Sequence, residues 1–245
     1  MKKLTFLIVM VCFKLSLYAD MKGAVGVAVE NTWSVYDGVD TDSRLIPLVF
    51  LRHDNYYAQG TRFGVFLYKD CHYRIGSGLS LDFSSIDRNQ NRALKEIEDI
   101  SGRVNINIRA KRIGKYIDIA LNLDKDISNR SKGYRITAEV IKPIQFDRIK
   151  LSPGIGVVYS DKKTNEYLYT VGSQKAAATY DTYEIKDSFD PFIAVTARYK
   201  FSQRLGMIVS AKYTKLSSSI TDSPIVQDDT ELKARLGLLY YFSIR

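Results

Sequence analysis

A few side chains in this sequence have the chemistry to make or break bonds. His72 precedes Ser77 and Ser80 on one segment, and a serine hydroxyl becomes a nucleophile only when a base takes its proton. Asp181, Glu184, Asp187 and Asp190 crowd one stretch, offering the paired acids an aspartyl-type protease needs. His53 stands beside Asp54. The two histidines are the whole supply, too few for a histidine-rich metal centre, and nothing in the spacing asks for a cofactor. Cys71 is the only cysteine beyond Cys12, so it has no disulfide partner once an N-terminal leader is gone, and it reads as a half-buried turn residue. Whether any of these groups can act depends on the elements that hold them.

The chain opens "MKKLTFLIVMVCFKLSLYAD": two lysines, an apolar run from Leu4 to Phe13, and a small residue at Ala19. That is the pattern of a secretory signal, residues 1–19, leaving 20–245 as the mature domain. The run is shorter than the roughly 20 apolar residues a spanning helix needs. Cys12 sits inside the run with no small residue before it, which argues against a lipoprotein. The net charge is +9, and Lys2, Lys3 and Lys14 leave with the signal. The remaining excess is scattered singly, without the basic patch and interleaved aromatics of a nucleic-acid binder. It suits an anionic lipid or glycan surface equally well.

The mature chain alternates with a period of two. In "RVNINIRAKR", Val104, Ile106, Ile108 and Ala110 oppose Arg103, Asn105, Asn107, Arg109 and Lys111. "YIDIALNLD", "IAVTARYKF" and "ELKARLGLLYYF" repeat the pattern. A soluble sandwich also alternates. Three features favour a membrane barrel instead: strands of about ten residues, full charges in mid-strand as a wet lumen permits, and aromatic residues at strand ends. Tyr116, Tyr134, Phe146, Tyr159, Phe201, Tyr213 and Tyr240 stand at such ends, where rings with a polar tip form interfacial girdles. The expected fold is all-β, a single antiparallel transmembrane β-barrel of about twelve strands, with ten as the competitor. The implied location is the outer membrane of a Gram-negative bacterium, surrounded by lipid and lipopolysaccharide.

Bacterial barrels keep an even strand number, with short turns in the periplasm and long loops outside. Counting back from Phe242 gives strands Glu231–Phe242, Leu205–Leu216, Phe189–Phe201, Ile149–Tyr159, Gly133–Ile144, Tyr116–Leu123, Ile100–Arg112 and His72–Phe83. Gly23–Ser34, Leu45–Arg52, Asn55–Gln59 and Arg62–Tyr68 complete twelve. This places His72 at the periplasmic end, away from the outer leaflet where membrane hydrolases work, and the acid-rich stretch in an outer loop as a solvated charge run. No catalysis is expected. The lumen receives Arg103, Arg109, Lys111, Arg198, Lys200, Lys233 and Arg235. Twelve strands leave a narrow interior. These cations either line an anion-preferring pore or pair with Asp118, Asp124, Glu139 and Glu231 and fill it.

The C-terminal third resembles the family of MltA-interacting outer-membrane proteins, MipA/OmpV. The resemblance rests on "YLYTVGSQKAAATYDTYE" (Tyr167–Glu184), "YKFSQRLGMIVSAKYTKL" (Tyr199–Leu216), "TDSPIV" (Thr221–Val226) and "GLLYYF" (Gly237–Phe242). "RLIPLVFLR" resembles the family's proline-containing second strand. Two departures stand out: "YTV" replaces "YGV", and Ser-Ile-Arg follows Phe242. The resemblance implies a scaffold that holds a membrane-bound lytic transglycosylase and a murein synthase for cell-wall enlargement. Some family members are osmolarity-linked or adhesive surface proteins. The sharpest motif, Asp222, Ser223, Pro224, Ile225 and Val226, has two readings. One is a stiff outer turn, since Asp222 and Ser223 bond nearby backbone and Pro224 fixes φ. The other is a plug, with Ile225 and Val226 folded into the mouth and Asp222 on a lumen arginine.

Overall fold

The computed structural model describes residues 21–36, 38–39, 41–83, 100, 102–170 and 183–244. Residues 1–20 (which include the expected leader), the stretch 84–99 and most of the "YLYTVGSQKAAATYDTYE" motif lie outside them. The strands are β1 (Met21–Trp33), β2 (Asp42–His53), β3 (Tyr56–Gly60), β4 (Arg62–Lys69), β5 (Tyr73–Asp82), β6 (Arg103–Ile113) and β7 (Asp118–Asp126). They continue with β8 (Tyr134–Ile141), β9 (Ile144–Phe146), β10 (Ile149–Ser160), β11 (Ser188–Lys200), β12 (Leu205–Lys215) and β13 (Thr230–Ile244). Each pairs antiparallel with its neighbours, and β13 pairs with β1. Because β10 also pairs with β11, the sheet closes on itself.

The wall has twelve strands, because β8 and β9 are two pieces of one. The stretch Gly133–Ile144, expected to run unbroken, is interrupted at Lys142 and Pro143. Proline has no N–H to give the ladder, and β10 spans the break by pairing with β8 from Gly154 and with β9 from Ile149 to Leu151. Closure pairs nearly every strand on both sides, the condition for strands to cross a bilayer, with one gap beside β2 at the outer end. No helix among the described residues is long and apolar enough to cross a membrane.

The alternation sorts the two faces. Val25, Val27, Val29, Ile106, Ile108, Leu236 and Leu238 are exposed on the outside, while Ala24, Ala28, Asn105 and Asn107 are buried inside. The short-turn end holds Asp54–Asn55, Asp70–His72 and Ser202–Arg204, and by the loop-length rule it faces the periplasm.

One hairpin is short. β3 pairs with β2 only over Val49–His53, so β2 from Asp42 to Leu48 has β1 on one side and, among the described residues, no ladder partner on the other. The tip turns at Gly60, whose φ of +64° suits a residue without Cβ. Arg44 Nη1 donates to the Phe83 carbonyl at 2.5 Å across this notch. Lower in the hairpin, Tyr57 lies over Gly64, where an added Cβ would sit 2.8 Å from the phenol oxygen.

Candidate functional site: a capped, charged lumen

The long connections at the outer end converge on one apolar core. Val35, Tyr36, Ile100, Tyr169, Leu216, Ile220, Ile185 and Ile225 pack together, the last two fully buried. Two short helices support it: α1 (Lys162–Tyr169) and α2 (Ser218–Thr221). Asp161 starts α1 by accepting from Thr164 N at 3.0 Å, and the same oxygen accepts from Tyr134 N at 2.9 Å, tying the helix to β8. Tyr36 stacks on Tyr169 with centroids 5.7 Å apart, and its hydroxyl donates to the Leu168 carbonyl. Burial raises the Tyr169 phenol well above its ordinary value.

The motif Asp222–Val226 lies in this core. Ser223 is buried and its hydroxyl donates to the Tyr169 carbonyl at 2.7 Å. Ile225 is 0 % exposed. Val226 bridges Tyr36, and Gln227 N donates to the Val35 carbonyl. Asp222 forms no ion pair with a lumen arginine among the described residues, because it follows α2 and its backbone N–H closes that helix on Ser218.

Beneath the cap lies a cavity of about 370 Å³, lined by Tyr36, Ile100, Tyr169 and Ile220 above and by Arg62, Glu139, Lys212 and Lys233 from the wall. A second space of about 320 Å³ shares Arg62, Arg103 and Asp124 with it and reaches the notch at Ile46, Thr61, Leu81 and Phe83. Charges in this outer half are largely paired. Arg103 meets Asp82 at 2.7 Å, Arg62 meets Asp124 at 3.4 Å, Lys233 meets Glu231 at 3.1 Å and Arg235 meets Glu30. Asp124 also accepts from Ser80 Oγ and Asn107 Nδ2. Glu139 forms no ion pair among the described residues, whereas Asp118 takes Lys111 at 2.6 Å.

The inner half is different. Arg52, Arg74, Lys111, Lys150, Arg198 and Lys200 point into it, and Asp118 is the carboxylate at that level. Arg198 lies 4.6 Å from the Phe50 ring centre and Lys200 lies 4.9 Å from that of Tyr241. Above them Arg109 donates to Gln59 Oε1. One side of the interior is apolar: Ala24, Ala28, Ile46, Leu48, Ile208 and Leu239 pack with Phe50 and Tyr241. These residues alternate with lipid-facing ones on β1, β2, β12 and β13, and a period of two does not by itself distinguish an apolar lining from a wet one.

Among the described residues, the groups named for bond-making chemistry are spread apart. His72 sits in the exposed turn with Cys71, their Sγ and Nδ1 3.1 Å apart, while Ser80 is committed to Asp124. His53 meets only Asp54, at 3.5 Å. Asp187 accepts from Tyr159 and from Lys162 N, Asp190 from Ser188 and Ser217 N, and Glu184 pairs with Lys162. Asp181 lies outside the described residues. Cys71 is exposed, not half-buried, because its turn projects beyond the wall. Asp70, Cys71 and His72 bring three donor atoms within 4.8 Å. Asp70 is already spent on the turn, accepting from Tyr73 N, His72 N and the Tyr68 hydroxyl.

The model of the family described as "MltA-interacting protein MipA" matches residues 25–242. The chain is 24% identical over 229 residues to the MltA-interacting protein of Escherichia coli (strain K12), covering 92% of each. It is 22% identical over 223 residues to the outer membrane protein YiaT of the same strain, covering 89% of this chain and 90% of that one. Among solved structures, an outer membrane channel from Pseudomonas putida F1 superimposes with a TM-score of 0.50 at 10% identity, over 92% of this chain and 95% of that one. That likeness concerns the fold alone. These relatives are named as interaction and outer-membrane proteins, and this chain is an outer-membrane barrel.

Proposed function

Because the chain belongs to the MltA-interacting protein MipA family, we propose that it is a non-catalytic docking protein of the outer membrane. Its partners in this reading are murein-remodelling enzymes, a membrane-bound lytic transglycosylase and a murein synthase, and its lipid surroundings include lipopolysaccharide. The observation that carries the reading is the cap. An outer mouth covered by a core with Ile185 and Ile225 fully buried suits a barrel that presents surfaces more than one that conducts. Periplasmic enzymes reach only the short-turn end, so the docking surface is placed on the turns at Asp70, Ile113, Asp147 and Ser202. In-cell crosslinking of the tagged protein, mild-detergent purification and mass spectrometry test this. Recovery of either enzyme, lost when Asp147 and Ser202 are replaced by bulky residues, supports docking; recovery of assembly factors alone refutes it.

The cationic inner lumen favours a second reading, a small-anion channel whose cap moves. Single-channel current from the refolded wild-type barrel separates the two.

A further inference from the structure

The inner half of the lumen sets like charges directly opposite one another. The register pairs Lys22 with Arg52, Arg74 with Lys111 and Lys150 with Arg198. Cross-strand partners share a face, and like charges so placed destabilise a sheet. The three pairs come from different parts of the wall and still lie close enough to repel. Arg52 is affected by both Arg74 and Arg198, and Lys150 by Lys111 and Arg52. Against them stands Asp118, already held by Lys111 at 2.6 Å. Arg52, Arg74, Lys150 and Arg198 have no ion pair among the described residues. The Nε atoms of Arg198 and Arg109 are buried with no hydrogen-bond partner.

The outer half, built on the same twelve strands, matches most of its cations with carboxylates. Concentrated, unmatched charge at one end is therefore local and not a side effect of a basic chain. Arg52 and Lys150 are exposed to solvent at this end, so the ring is reached from the periplasm without moving the cap.

We propose that this ring is a binding site for a small soluble anion carrying two or more phosphate or carboxylate groups, entering from the periplasmic side. Guanidinium groups from facing walls offer planar, paired donors to such oxyanions, and the ammonium groups of Lys150 and Lys111 add point charge. One multivalent ligand relieves several repulsions together, which a monovalent ion does not. The site is independent of enzyme docking, since it is read on the isolated barrel and its failure leaves the docking result untouched.

The test is isothermal titration of the full refolded barrel in a zwitterionic detergent, with sodium tripolyphosphate and with citrate, at ionic strength held constant with sodium chloride. A single saturable site with Kd below about 1 mM is expected for at least one of the two. The arms separate the sources: tripolyphosphate alone marks a phosphate ligand, and citrate alone a polycarboxylate. The double variant Arg52→Gln with Arg198→Gln weakens binding by at least about tenfold. Lys215→Gln, which removes a cation outside the lumen, leaves it unchanged. Heat-modifiable gel mobility checks that each variant is folded. If the double variant does not fold, Lys150→Gln, at the solvent-exposed mouth, gives a loss of about threefold. Heats no larger than those of sodium chloride overturn the proposal. So does binding that the ring variants leave intact, or binding of poly-glutamate without either small anion.

Discussion

Ser223 illustrates how one hydroxyl fixes a loop. It is 1 % exposed, and its donor satisfies the carbonyl at the end of α1. Ser223→Ala removes the hydroxyl with little change in bulk and leaves that carbonyl unpaired, at a cost of about 1–3 kcal/mol. The loss falls on the cap, since the barrel ladder is untouched. Limited trypsin digestion should cut sooner at Lys162 and Lys163 in the variant, with no change in the heat at which the barrel unfolds in detergent. Earlier barrel unfolding would mean that cap and wall melt together. Asp70 makes the opposite kind of case, a fully exposed carboxylate tuned by its turn. The N–H of Tyr73 first, then the Tyr68 hydroxyl and the N–H of His72, hold its pKa below the ordinary 3.8. The folded value is depressed, so the turn's contribution is complete above about pH 4 and fades as pH falls through the lower folded value. Asp70→Ala should remove that acid-dependent part, read as a smaller loss of stability between about pH 5 and pH 2 than in the wild type. Neither residue's role was legible in the sequence beyond its turn chemistry. Ile185 and Ile100 were less legible still, single apolar residues among polar ones with no periodicity to mark them as core.

Strands were the legible elements, and the reason is the solvent on each side. Lipid outside and charge inside force a strict period of two, which marks the long strands, and the even strand number brought the short β3 and β4 into the count of twelve. What the period could not reveal was continuity. Pro143 breaks one expected strand, and the brevity of β3 turns a length difference into a notch. The notch makes a prediction of its own. In β1 both sides are laddered, to β2 and β13. In β2, residues Asp42–Leu48 are laddered on one side only among the described residues. Amides that face a missing partner exchange faster, so hydrogen exchange in detergent should run faster over Arg44–Leu48 than over Val25–Glu30. Equal protection would mean that something else covers that edge. The helices were the least legible elements. A short amphipathic stretch such as Lys162–Tyr169 is marginal alone, and it stands here because Asp161 caps it and ties it to β8.

At the scale of the whole molecule, the cap and the charge distribution would act in series on any current through the barrel. A mouth covered by packed isoleucines would limit how much flows, while the inner half would decide which ion carries it. Ile185→Asp with Ile225→Asp places two charges in a core that has no partner for them, which costs more than that core can absorb and should open it. In planar bilayers the wild type should then show little steady current and the double variant discrete steps. Under a salt gradient the reversal potential of those steps should have the sign of anion preference, since Arg52, Arg74, Lys150 and Arg198 outnumber the carboxylates near them, Asp118 and, further along the wall, Glu139. Adding Arg52→Gln and Arg198→Gln to the open variant should move the reversal potential toward zero with the steps retained. The two measurements separate the parts. Large steps from the wild type would remove the cap as a barrier, and cation preference in the open form would show that the paired outer half governs selectivity.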